Sequence, residues 1–184
     1  RNGVNWFKSL GARQVESLPL IDKASANDPQ IAGKISRSRL IYMLGGFTGY
    51  LGETLKQSAS WQAMLEAYAN GAVIAGSSAG AMVLCQYYYD LGSSQVVEGL
   101  WLVSNACVLP HHNTFGKNWA KRMEANLPNA ILLGVDEQTG MLDDANGDRK
   151  TVWRVYGQGA VTIYRHGQLT VYKTGESFNI LDMQ

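Results

Sequence analysis

A chain of 184 residues with 46% hydrophobic and 17% charged side chains has the length of one domain, enough to bury roughly two-thirds of its unfolded surface without a disulfide or metal staple. Its formal net charge is +1 and its cations are scattered, Arg37 and Arg39 being the densest pair, so the basic stripe that nucleic acid demands is missing. No apolar run reaches the roughly 18 residues of a membrane helix, and the start lacks the charged region and apolar core of a signal peptide.

In chain order, Val4, Phe7 and Leu10 before Gly11 predict a short helix with a glycine stop. The chain opens on Arg1 without an initiator Met, which reads as a missing upstream segment. Gln14 to Leu20 is a strand candidate, and Ala24 to Pro29, with its Ser, Asn, Asp and Pro, reads as a loop. Leu40 to Leu44 is a continuous apolar run ended by Gly45-Gly46, as in a strand buried on both faces. A helix carrying Trp61, Met64, Leu65 and Tyr68 then closes at Asn70-Gly71. The strand Ala72 to Ala75 leads into Gly76-Ser77-Ser78-Ala79-Gly80 and a small-residue helix from Ala79. Further strands are predicted over Ala106 to Leu109, Ile131 to Val135, Thr151 to Tyr156, Ala160 to Arg165 and Gln168 to Lys173, with His166-Gly167 as a hairpin turn.

Alternating strands and helices imply a mostly parallel sheet flanked by helices, finished by an antiparallel C-terminal ribbon. With no repeat, linker or low-complexity segment, residues 1–184 read as a single domain. Cys85 and Cys107 lie in apolar stretches, which suits buried small hydrophobes in a reducing cytoplasm better than a disulfide or metal site.

Gly76-Ser77-Ser78-Ala79-Gly80 fits the G-x-S-x-G nucleophile elbow, in which a serine sits on a tight strand-to-helix turn. Small residues are needed two positions either side because the turn brings them against the backbone. A glycine-rich turn that only packs, or binds a phosphate, is the plainer alternative. Gly45-Gly46-Phe47-Thr48 ends the earlier strand, and amides of Gly46 and Phe47 with that of Ala79 are candidates for an oxyanion hole, each good donor being worth roughly 3 kcal/mol. For a base there are three histidines: His111 and His112, behind Pro110 at a strand end, and His166 in the hairpin turn. The orienting acid is open among Asp90, Glu98, Asp136 and Glu137 on residue type alone.

Four stretches taken together resemble the peptidase E and cyanophycinase family of serine peptidases: Gly45 to Thr48, Gly71 to Met82, Leu109-Pro110-His111, and Leu133 to Thr139. The resemblance implies a flavodoxin-like fold of the class I glutamine amidotransferase type, here without the glycine-bearing first strand usual in members. It implies Ser78 as nucleophile, His111 as base and, from the common spacing ahead of the histidine, Asp90 as acid. His112 takes a slot that is frequently aromatic. It joins Asn113 and Lys117 as a substrate-facing candidate, and Lys117, Lys121 and Arg122 could meet an acidic group. Cyanophycin-cleaving members follow the histidine with several arginines, whereas Asn113 to Asn118 hold none, which argues against that polymer as substrate. The resulting expectation is hydrolysis of an amide bond in a small peptide, without cofactor or metal. Self-association into a homo-oligomer is left open. A non-catalytic ligand-binding domain on the same scaffold is the alternative, and a glutaminase is disfavoured because that chemistry in this fold uses a cysteine at the elbow.

Overall fold

The computed structural model describes residues 2–143 and 152–180. Their contacts fall into two compact units, one formed by residues 1–41 and 54–74 and the other by residues 42–53 and 75–184.

In the first stretch, helix α1 (Asn2–Ser9) forms where apolar spacing predicted it. Gln14 to Leu20, in contrast, forms no strand. Its apolar residues fall at 15, 18 and 20, so they cannot share one face of a period-two strand, and Pro19 has no N–H to give a ladder. The loop expected over Ala24 to Pro29 is instead two helices, α2 (Lys23–Ala26) and α3 (Pro29–Ile35). The polar residues act as caps. Asp22 Oδ1 accepts from Ser25 N at 2.8 Å while Ser25 Oγ accepts from Asp22 N at 2.9 Å, a reciprocal capping box. Asp28 Oδ1 accepts from Gln30 N at 2.7 Å, with Pro29 at the first helical position.

Strand β1 (Leu40–Met43), helices α4 (Thr48–Leu55) and α5 (Ala59–Ala69), and strand β2 (Val73–Gly76) follow. The helical region after Gly46 is thus broken in two. Ser58 ends one segment and caps the next, its Oγ accepting from Trp61 N at 3.1 Å. Asn70 and Gly71, the latter at φ +92°, close α5 as expected. β1 and β2 form a two-stranded sheet.

Past the elbow, helix α6 is a single turn (Ala79–Met82), and the chain goes straight into strand β3 (Cys85–Asp90). The longer helix expected there does not form. Cys-Gln-Tyr-Tyr-Tyr-Asp is rich in residues that favour a pleated, half-buried surface, and its Tyr88 and Tyr89 are buried. Then come β4 (Gln95–Glu98), β5 (Val103–Leu109), a 3-10 turn (Gly116–Trp119), α7 (Ala120–Asn126), β6 (Ile131–Val135) and β7 (Thr139–Leu142). The chain ends with β8 (Val152–Gly157), β9 (Ala160–Arg165), β10 (Gln168–Lys173) and β11 (Ser177–Asn179). Thr151, where the sequence placed the start of β8, lies outside the described residues.

Six strands join in the order β10-β9-β6-β5-β3-β4, and β11-β8-β7 form a separate sheet. β3, β5 and β6 run parallel, while β4, β9 and β10 pair antiparallel. The architecture is therefore α/β with mixed sheets flanked by helices, and β9 and β10 are the expected antiparallel ribbon. Ala106, Cys107 and Leu109 of β5 and Ile131, Leu132 and Leu133 of β6 are fully buried. Continuous apolar runs of this kind belong to strands covered on both faces. The rigid centre consequently delivers two loops side by side, one after Leu109 and one after Val135.

Candidate active site

Ser78 occupies a strained turn, with φ +51° and ψ −121°. A non-glycine residue at positive φ costs of order 1–3 kcal/mol and persists only where its surroundings fix it. Here they do. Ala81 N and Met82 N each donate to Ser78 O at 3.0 Å, and Ser77 N donates to Met43 O at 3.1 Å. The flanking glycines are steric necessities: a Cβ on Gly76 would lie 2.4 Å from the Gly80 carbonyl, and one on Gly80 would lie 2.2 Å from Met43 O. A Cβ on Gly45 would lie 3.0 Å from Ser78 Cβ, so the turn after β1 passes directly beside the serine.

The imidazole arrives from the end of β5. His111 Nε2 lies 3.2 Å from Ser78 Oγ, and its Nδ1 lies 3.1 Å from Glu137 Oε1. His111 itself has φ +52°. Its carbonyl accepts from Thr114 N at 3.1 Å, Thr114 Oγ1 at 2.9 Å and Gly116 N at 3.0 Å, which ties the turn down. Phe115 stacks on the imidazole with centroids 5.0 Å apart. Glu137 comes from the loop after β6, the neighbour of β5, so adjacent parallel strands supply both partners at the same sheet edge.

Asp90 does not meet His111. Its Oδ1 accepts from Gly49 N at 3.2 Å and Gly92 N at 3.3 Å, and its Oδ2 from Ser93 N at 2.9 Å and Ser93 Oγ at 2.7 Å. Led by the Ser93 hydroxyl, these donors hold its carboxyl below the ordinary 3.8, against partial burial. The expectation of Asp90 as the orienting acid is therefore corrected: this side chain braces the turn after β3, and the carboxylate at the imidazole is that of Glu137. Glu98 is likewise engaged elsewhere, accepting from Trp101 Nε1 at 2.9 Å.

Among the substrate-facing candidates, His112 is buried, with Nδ1 3.3 Å from Asp136 Oδ1 and Nε2 2.7 Å from Tyr164 OH. Both ring nitrogens are spent within the protein, so this imidazole is not offered to a ligand. Asn113 Oδ1 accepts from Glu137 N at 2.9 Å, which makes it a support for the acid. Lys117 is exposed. Arg122 is committed, donating from Nη1 to Tyr89 OH at 2.6 Å and lying over that ring. His166 is exposed in its hairpin turn.

The candidate oxyanion groups lie on two turns next to Ser78. Gly46 has φ +148° with open space where a side chain would be. Phe47 is 87% exposed, so its ring is unshielded beside the site. Ala79 is buried at the first position of α6, where an amide has no acceptor within the helix. Cys85 and Cys107 are buried, and loss of solvent pushes both thiols up, Cys107 to about 12. They are thus poor nucleophiles. Among the described residues no helix is long and apolar enough to cross a membrane.

A serine on a strained elbow, with an imidazole and a carboxylate aligned behind it on an α/β sheet, is the architecture of the serine hydrolase class. The chain belongs to Peptidase family S51, whose profile matches residues 2–147. It is 28% identical over 171 residues to the cyanophycinase of Synechococcus elongatus, an alignment covering 85% of this chain and 51% of that protein. The chain thus spans about half the length of the curated relatives it matches first. The crystal structure of a peptidase from an acI-B1 Actinobacterium superposes with a TM-score of 0.78 at 30% identity, covering 97% of this chain and 78% of that one. The crystal structure of a peptidase E protein from Listeria monocytogenes EGD-e shares the fold, with a TM-score of 0.59 at 20% identity over 94% of this chain and 76% of that one.

Proposed function

We propose that the chain is a serine-type peptidase that hydrolyses an amide bond in a small peptide, with Ser78 as nucleophile, His111 as general base and acid, and Glu137 as the orienting carboxylate. The observation that carries this reading is the single imidazole reaching Ser78 Oγ with one nitrogen and Glu137 with the other. Glu137 as acceptor keeps the proton on Nδ1, leaving Nε2 with the lone pair that takes the Ser78 proton. Ser78 Oγ attacks the carbonyl carbon. Amides of Gly46, Phe47 and Ala79 receive the charge that develops on its oxygen. When the C–N bond breaks, His111 passes the proton to the departing amine, and water then cleaves the acyl ester by the same relay in reverse.

Family membership supports this reading, and so does the inaccessibility of both thiols. Replacement of Ser78 by Ala removes the attacking oxygen. It is expected to abolish labelling by a fluorophosphonate and every hydrolysis seen in a dipeptide library, while the circular dichroism spectrum is unchanged. Absence of labelling in the folded parent protein would instead favour a ligand-binding domain on a peptidase scaffold.

A further inference from the structure

Beside the site stands a second imidazole–carboxylate pair that the proposed chemistry does not use. The loop after β5 and the loop after β6 run side by side, so His111 faces Glu137 while His112 faces Asp136. The two pairs differ in environment. His111 and Glu137 keep 35% and 48% of their side-chain surface exposed, against 10% and 16% for His112 and Asp136.

The inner pair is built in from every side. Asp136 Oδ2 accepts from Ala160 N at 2.9 Å, and Asp136 N donates to Ala160 O at 3.2 Å, which pins the loop to β9. His112 N donates to Val135 O at 3.0 Å. Two glycines leave space for the pair: a Cβ on Gly134 would lie 2.4 Å from His112 Cδ2, and one on Gly159 would lie 2.7 Å from Asp136 Cβ. Tyr164 closes the far end, its ring edge-on to the imidazole at 5.6 Å. Burial first, then the charges of Glu124 and Asp136, push the Tyr164 hydroxyl up, so it stays protonated. Its O–H then donates to Nε2, and the Nδ1 proton of His112 is left for Asp136. A single tautomer satisfies all three groups.

We infer that His112, held between Asp136 and Tyr164, is a positioning residue for the reaction, which locks the Glu137 carboxylate in line with His111 by fixing the two loops in register. This inference rests on the proposed role of Ser78, His111 and Glu137. The inner imidazole touches no reacting atom and acts through the backbone it shares with its neighbours. Each member of the outer pair is covalently next to a member of the inner one, and Glu137 N is further held by Asn113 Oδ1 at 2.9 Å. Misplacement of a reacting group by about 1 Å can cost on the order of 100-fold in rate. The outer pair keeps more of its side-chain surface exposed than the inner one, so the inner pair is the better packed of the two anchors between these loops.

The test uses diisopropyl fluorophosphate as the probe on the full chain. In that step Ser78 Oγ bonds to phosphorus, fluoride leaves, and the serine proton passes to His111. His112→Phe keeps the ring volume and the packing on Tyr164 but removes both hydrogen bonds. The maximal labelling rate should fall roughly 10- to 100-fold, with the concentration giving half that rate changed by less than about twofold. His112→Asn restores a donor near Nδ1, able to reach Asp136 but not Tyr164, and should recover most of the rate. Thermal melts verify that both variants are folded, and if the Phe variant is not, Tyr164→Phe takes its place with a smaller loss expected. Equal rates in the parent and all variants, or equal losses for Phe and Asn, would overturn the positioning role. An unlabelled parent would overturn the proposed peptidase reading itself.

Discussion

The assignment of Glu137 as the orienting acid can be tested by taking its charge away. When His111 accepts the serine proton, an imidazolium forms 3.1 Å from the Glu137 oxygen. Unit charges at that separation attract by about 1.3 kcal/mol in bulk water and by about 5 kcal/mol at an effective dielectric of 20. Since 35% of the His111 side chain and 48% of the Glu137 side chain remain exposed, solvent screening puts the value in the lower part of that interval, about 2 kcal/mol. Glu137→Ala should therefore slow the maximal fluorophosphonate labelling rate about 30-fold, using 1.36 kcal/mol per decade. Glu137→Gln should do at least as much damage. A side-chain amide can donate to Nδ1 and so leave the proton on Nε2, where the serine needs an acceptor. The comparison is Asp90→Asn, which leaves the imidazole's partner in place. Should the folded Asp90 variant lose labelling as strongly as Glu137→Ala, or Glu137→Ala label at the parental rate, the carboxylate assignment made from the geometry is wrong.

The elbow glycines make a separate test. Gly80→Ala places a methyl 2.2 Å from Met43 O, a backbone atom that cannot swing aside. Overpacking of that kind typically costs about 1–3 kcal/mol, which a thermal melt reads as about 2–4 °C per kcal/mol at this chain length, and Ser78 labelling should be lost with it. For Asp90 the pH dependence has a definite sign. Its carboxyl is held below 3.8 in the folded state, so its stabilisation is complete above 3.8 and fades as the pH falls through the lower folded value. Denaturation of the parent and of Asp90→Asn should accordingly differ at neutral pH and converge in acid below 3.8; a gap that widens in acid would contradict this.

How much of this could be read from the residues alone depends on how local each signal is. The elbow was legible because its pattern occupies five consecutive residues, although only Gly76 is constrained from within them and Gly80 is required by Met43 of β1. The same holds for the strands of the buried centre, whose apolar runs have few other uses. Asp28 misled for an informative reason: Ser, Asn, Asp and Pro mark loops and helix starts alike, and what separates them is whether a side chain reaches the amide two or three positions on. β3 was hidden because Ala-Met-Val-Leu continues a helical pattern up to Cys85, and only the sheet partners β4 and β5 reward the switch. Glu137 was beyond local reading. Its claim rests on β5 and β6 being parallel neighbours, a fact of strand order that residue spacing does not carry. A signal did exist, since Asp136 and Glu137 follow a buried strand as His111 and His112 do. Spacing by family habit favoured Asp90, which the structure employs as a turn brace.

Matched loops have a price in evolutionary and engineering tolerance. With His111 opposite Glu137 and His112 opposite Asp136, dropping or adding one amino acid ahead of either dipeptide would leave a single imidazole–acid pair, made of the wrong partners. Length changes should be harmless only beyond these dipeptides, and a graft of this site into another scaffold would have to carry both stretches as one cassette.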